Sequence, residues 1–138
     1  PLLYLSVYFE SHRQEYYTSL QKVKTEGNWN QWILFFLQGV TETAQQAARQ
    51  ANQITALRER YMKELRDKPK AVALIDPLFK NPYLTVARVT QLLKITHPTA
   101  RQVIKTLEEA GVVLEVSGRE WGRIYKASEI SSVIENPA

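Results

Sequence analysis

The sequence predicts a mainly α-helical chain that closes on a small β-hairpin. Three observations carry that expectation. Through residues 4–65 apolar side chains recur at three- and four-residue spacing, the period of helices with one buried face. No Pro or Gly interrupts residues 40–68, so a single long helix can run there. Beyond Pro69, short amphipathic segments give way to two β-rich runs around the turn SGREWG, the pattern of helices followed by a hairpin.

Composition sets the outer bounds. With 44% hydrophobic and 23% charged residues the chain is globular rather than disordered. Its 138 residues hold one ordinary domain or two small ones. The absence of cysteine excludes a disulfide framework and thiolate chemistry, and it fits a cytoplasmic location. The longest apolar run, WILFFLQGV, is about half of the roughly 18–20 residues a membrane span needs, so it reads as buried helix and no membrane partner is expected. The sequence opens on Pro1-Leu2-Leu3 without methionine, which suggests a fragment of a longer protein.

Taken in order, LLYLSVYFES and EYYTSLQKVK read as two helices, with Leu3, Val7, Tyr8, Tyr16, Leu20 and Val23 facing inward. Gly27 stops the second and Asn28 is placed to cap the next. The long helix then carries Val40, Ala44, Ala47, Ala51, Ile54, Arg58, Tyr61 and Leu65 in alternating steps of four and three, a heptad-like seam with one charge in it. Its alanines allow close approach of a partner helix, from this chain or from a second copy. Asp67-Lys68-Pro69 is the expected boundary, giving units 1–67 and 68–138.

After the boundary, residues 70–78 read as a short helix ended by Asn81-Pro82. Thr85 caps a helix with Val86, Val89, Leu92 and Leu93 on its apolar face. Lys94-Ile95-Thr96 forms a tight turn, with Ile95 in the core and Thr96 capping the helix that ends at Ala110-Gly111. On that helix Ala100, Val103, Ile104 and Leu107 face inward, leaving Thr99, Arg101, Gln102 and Lys105 outward. Pro98 suits its first turn and Gly111 its left-handed exit. Residues 112–116 and 123–126 read as the hairpin strands, and 128–135 as a last short helix. Three helices and a hairpin in this order make a winged helix-turn-helix.

That architecture has two uses. As a DNA reader it would place Thr96, His97, Thr99, Arg101, Gln102 and Lys105 in the major groove of duplex DNA, with Arg119 and Arg123 of the wing on the backbone beside it. As a protein-docking or dimerising module it needs none of them. Charge leaves both open. The net charge is +4 overall, with ten basic against seven acidic residues in 68–138, an excess that permits an anionic partner without requiring one. Trp121 could be a wing contact, although an aromatic packed at the hinge is the commoner case.

The stretch YLSVYFESHRQEYY, then GNW, then WILFFLQGV, resembles the segment that follows the active-site loop in Fic-family proteins, and the similarity continues through the long helix into the winged helix. The resemblance implies the C-terminal part of a bacterial protein that moves AMP from ATP, with Mg²⁺, onto a hydroxyl of a target protein. It further implies that residues 1–67 are closing helices of the catalytic domain with a linking helix. The family's loop, HPFxxGNGR, is absent. His97-Pro98 is followed by Thr99-Ala100-Arg101, and His12 stands in ESHRQ, so neither histidine is read as a catalytic base and the chain by itself is not expected to be an enzyme or to hold ATP. The family's inhibitory-helix pattern [S/T]xxxE[G/N] fits Ser131, Glu135 and Asn136. It would make Glu135 an autoinhibitory group, although so short a pattern also arises by chance. Tyr16 and Tyr17 would lie near the nucleotide pocket in the family, whereas helical spacing makes them core residues. A homodimer through the N-terminal and alanine-rich helices is a further expectation.

Overall fold

The computed structural model describes residues 4–135, and they are mainly helical. The chain divides into two compact units, residues 1–49 and 50–138. The division falls inside the long helix, upstream of the expected boundary at Lys68-Pro69.

The first unit contains α1 (Leu5–Ser11), α2 (Arg13–Glu26) and the first part of α3 (Trp29–Glu64). His12 is the single residue that separates α1 from α2. Its ring stacks on Tyr8 at 4.2 Å and its Nδ1 lies 3.0 Å from the Tyr8 carbonyl oxygen, so it is a half-buried packing residue. Gly27 takes the left-handed conformation (φ 64°), and its N–H reaches the Val23 carbonyl, which closes α2 and turns the chain into α3. Tyr8 and Phe35 are buried, with Phe9, Tyr16 and Trp32 around them at ring separations of 5.3–6.3 Å. Gly39 makes this packing possible. A Cβ there would meet the Tyr8 ring at 2.7 Å.

Two inward assignments fail in this unit. Val7 is 59% exposed and Tyr17 is 55% exposed, because neither faces another element. Leu2 and Leu3 lie outside the described residues. The apolar run read as buried helix is only partly so: Ile33, Leu34, Phe36 and Leu37 are exposed, while Phe35 is buried.

The second unit begins with the last turns of α3 and continues through α4 (Pro69–Lys80), β1 (Tyr83–Leu84), α5 (Val86–Leu93), α6 (His97–Glu109), β2 (Leu114–Glu115), β3 (Tyr125–Lys126) and α7 (Ser128–Glu135). The strands form one antiparallel sheet in the order β1-β3-β2, with Lys126 opposite both Tyr83 and Leu114. One core fills the unit. Tyr61 of α3 and Leu65 just beyond it meet Leu74 and Leu78 of α4, Ile104 and Leu107 of α6, and Ile130 of α7. Within the heptad-like seam, Tyr61 and Leu65 are therefore covered, whereas Ala44, Ala51 and Arg58 are exposed.

Local chemistry explains most boundaries. The Thr85 hydroxyl accepts the Arg88 N–H at 3.2 Å and starts α5. Lys94 adopts the left-handed region (φ 52°) to close the tight turn into α6, and Ile95 packs against the core. Gly111 (φ 73°) ends α6, with the Val112 N–H on the Leu107 carbonyl. Thr96 stands at the N-cap position of α6 but makes no side-chain cap bond. Its hydroxyl pairs instead with that of Thr99 at 3.0 Å. Leu92, assigned to the apolar face of α5, is 44% exposed. The hairpin strands are shorter than expected because Val112 and Val113 turn into the core before pairing begins.

Candidate nucleic-acid interface

The candidate interface is the outward face of α6 together with the loop between β2 and β3. Ala100, Val103, Ile104 and Leu107 are all buried, which locks the rotation of α6 about its axis. His97, Arg101, Gln102 and Lys105 are consequently exposed, and Thr99 is half-buried at the edge of the face. Among the described residues, the side chains of His97, Arg101, Gln102 and Arg119 make no intramolecular hydrogen bond or ion pair. Lys105 lies 3.9 Å from Glu109. Both are well exposed, so that pair is weak and screened by salt.

The loop is held in shape by one carboxylate. Glu115 Oε1 accepts the N–H groups of Ser117 and Gly118 at 2.8 and 2.9 Å, and the Ser117 hydroxyl also donates to it. The Ser117 hydroxyl bond, aided by those N–H groups, holds the Glu115 carboxyl below the usual carboxylate range. The Ile124 N–H donates to the Ser117 hydroxyl at 3.1 Å, and Arg123 Nε donates to the Arg119 carbonyl at 3.0 Å. Glycines 118 and 122 supply the left-handed turns (φ 62° and 63°). Glu115 thus builds the loop, and Arg119 and Arg123 are presented from a framed scaffold. Trp121 is 82% exposed at its tip and does not pack at the hinge.

The structure adds two residues that the sequence did not point to. Lys68 and Lys70, at the start of α4, border a groove of about 330 Å³ whose other wall is Thr99, Gln102, Val103 and Thr106 of α6. Their position depends on how α4 packs on α6, which no local pattern encodes. The Arg88 guanidinium donates to the carbonyls of Asn81, Tyr83 and Pro77 and serves the loop after α4.

The remaining candidates lie elsewhere. Ser131 is buried, and its hydroxyl donates to Glu135 Oε1 at 2.7 Å. Asn136 lies outside the described residues. Gln50 Nε2 donates to the carbonyls of Val133 and Ile134, and the Tyr61 hydroxyl donates to Glu129 Oε2 at 2.8 Å beside Arg60. These contacts tie α7 to α3 as a structural element. No group of three or more His, Asp or Glu that could hold a metal ion occurs among the described residues. No described helix is long and apolar enough to cross a membrane. No family model matches the chain.

Proposed function

We propose that the second unit is a winged helix-turn-helix that binds duplex DNA, with α6 in the major groove and the β2–β3 loop as its wing. The observation that carries this is the unpaired outward face of α6, bearing His97, Arg101 and Gln102, on a helix whose rotation is fixed by four buried residues. Helix, strand, two helices, strand, loop, strand is the order this architecture requires, and the sheet order β1-β3-β2 suits it. The first unit we read as closing helices of a Fic-type catalytic domain, on the residues that carry the resemblance. In that reading its exposed apolar face is covered by the rest of the domain, and AMP transfer from ATP with Mg²⁺ onto a protein hydroxyl belongs to the full-length parent. The SxxxE contact of Ser131 with Glu135 then remains a helix-internal bond.

The test is fluorescence anisotropy with a labelled random-sequence duplex across a salt series. Non-specific binding of about 1–100 μM near physiological salt is expected, weakening steeply as salt rises. Arg101→Ala and Arg119→Ala should each weaken it further. No binding even at low salt overturns the proposal. One observation favours a second reading. Trp121, Leu114 and Val116 leave the hairpin with an exposed apolar surface, and Glu108 and Glu109 face solvent at the end of α6. A protein-docking or dimerising wing would use that surface, and Trp121→Ala would then abolish protein association while leaving DNA unbound throughout.

A further inference from the structure

We infer that Lys68 and Lys70 form a second phosphate-binding wall of the α6 interface, on the flank opposite Arg101 and Lys105. The inference rests on the DNA-binding reading of the same face and extends it to the second strand of the duplex. An α-helix has about 3.6 residues per turn, so Arg101 and Lys105, four apart, share one flank of the outward face. Thr99, Gln102 and Thr106, spaced by three and four, share the other, and that flank forms the groove wall facing Lys68 and Lys70. Gln102 therefore stands between two pairs of cations.

A major groove about 12 Å wide is bordered by a phosphate backbone on each side. A helix with cations on one flank alone would neutralise one strand and leave the other without a partner. The start of α4 removes that asymmetry. Both lysines are exposed and neither has an ion-pair partner among the described residues. The neighbouring acid, Asp67, lies 3.7 Å from Arg66 Nε. Pro69 between the lysines occupies the first turn of α4, and its fixed φ restricts the backbone that carries them. Ala71 and Val103, which also line the groove, are buried and apolar. The lysine stems can lie along them with their ammonium groups at the rim.

The experiment is the same anisotropy salt series with the full chain, comparing wild type with the double variant Lys68→Ala/Lys70→Ala and with Lys68→Arg/Lys70→Arg. Two lost phosphate contacts should lower the slope of log affinity against log salt by about two, so that the fall between about 50 and about 200 mM salt shrinks roughly tenfold. The loss should be similar on every duplex sequence, since phosphates carry no base identity. The arginine pair should retain the wild-type slope. A double alanine variant with wild-type slope and affinity, alongside an Arg101→Ala variant that binds weakly, overturns the second wall and leaves the DNA-binding reading standing. Absence of binding by the wild type overturns both. Both lysines lie on the surface, and an unchanged thermal midpoint confirms that the variants are folded.

Discussion

The two units differ most in what they do with apolar side chains. Among the described residues, the second unit gathers eighteen buried hydrophobic residues into one cluster drawn from α3, every later helix and the sheet. In the first unit, Tyr8 and Phe35 are the buried hydrophobic side chains, while Tyr4, Val7, Tyr17, Trp29, Ile33, Leu34, Phe36 and Leu37 are exposed. Buried hydroxyls follow the same division in part, since Thr43 of the first unit does donate to the Gly39 carbonyl at 2.7 Å. The Tyr61 hydroxyl of the second unit is satisfied by Glu129, whereas the hydroxyls of Tyr8 and Ser19 in the first are buried without a partner. A buried polar group without a partner costs about 1–3 kcal/mol. The second unit closes its core, and the first leaves a run of apolar side chains exposed.

The largest expected effect tests that contrast through association. An exposed apolar face of this extent should drive concentration-dependent self-association in sedimentation. Leu34 and Leu37 are 68% and 52% exposed on neighbouring turns of α3. Burying each is worth about 1.5–3 kcal/mol, so Leu34→Lys/Leu37→Lys should weaken association by about a hundredfold or more. A wild-type chain that sediments strictly as a monomer would break the comparison. Next in size is the closed core itself. Leu107 is wholly buried, and Leu107→Ala should cost about 2–5 kcal/mol in urea unfolding. Leu37→Ala, measured where the chain is monomeric, should stay within about 0.5 kcal/mol.

Gly39→Ala probes a tight contact in the first unit. Alanine favours a helix over glycine by about 1 kcal/mol, yet the new Cβ would sit 2.7 Å from the Tyr8 ring. Overpacking of this kind costs about 1–3 kcal/mol. A net loss, with a weakened near-ultraviolet signal from the aromatic cluster, is expected. A stabilised variant would mean that the ring does not rest on α3.

The same contrast sets what could be read in advance. The inward face of α6, Ala100, Val103, Ile104 and Leu107, was legible because it closes against partners within the unit, so period and burial agree. Leu92, Val7 and Trp121 were misjudged for the opposite reason: side-chain identity says a residue is apolar and says nothing about whether a neighbour arrives to cover it. Strand β1 gave no signal at all. Tyr83 and Leu84 are too few for an alternating pattern, and their partners lie some forty residues on, at Lys126 and Tyr125. At the candidate interface the outward residues of α6 followed from the helical period. Lys68 and Lys70 did not, because a contact from the start of α4 to the flank of α6 is tertiary.

The smallest effect sets two buried tyrosines, one from each unit, against each other. Tyr61→Phe removes an O–H donated to a carboxylate, and about 1 kcal/mol of stability should be lost at pH 8. Tyr8→Phe removes a hydroxyl that has no partner, and it should be neutral or slightly stabilising. Alkaline pH sharpens the difference. Burial first, and then the bond to Glu129, push the Tyr61 phenol up from 10.0 to about 12. A group raised in the folded state contributes stability that is complete below its unfolded pKa and is lost as pH climbs through the folded one. The advantage of wild type over Tyr61→Phe should therefore hold up to about pH 10, shrink by about 1.4 kcal/mol per pH unit above it, and reverse before pH 12. A constant advantage across that window would mean that the core does not hold the phenol neutral, and the second unit would be less closed than its packing implies.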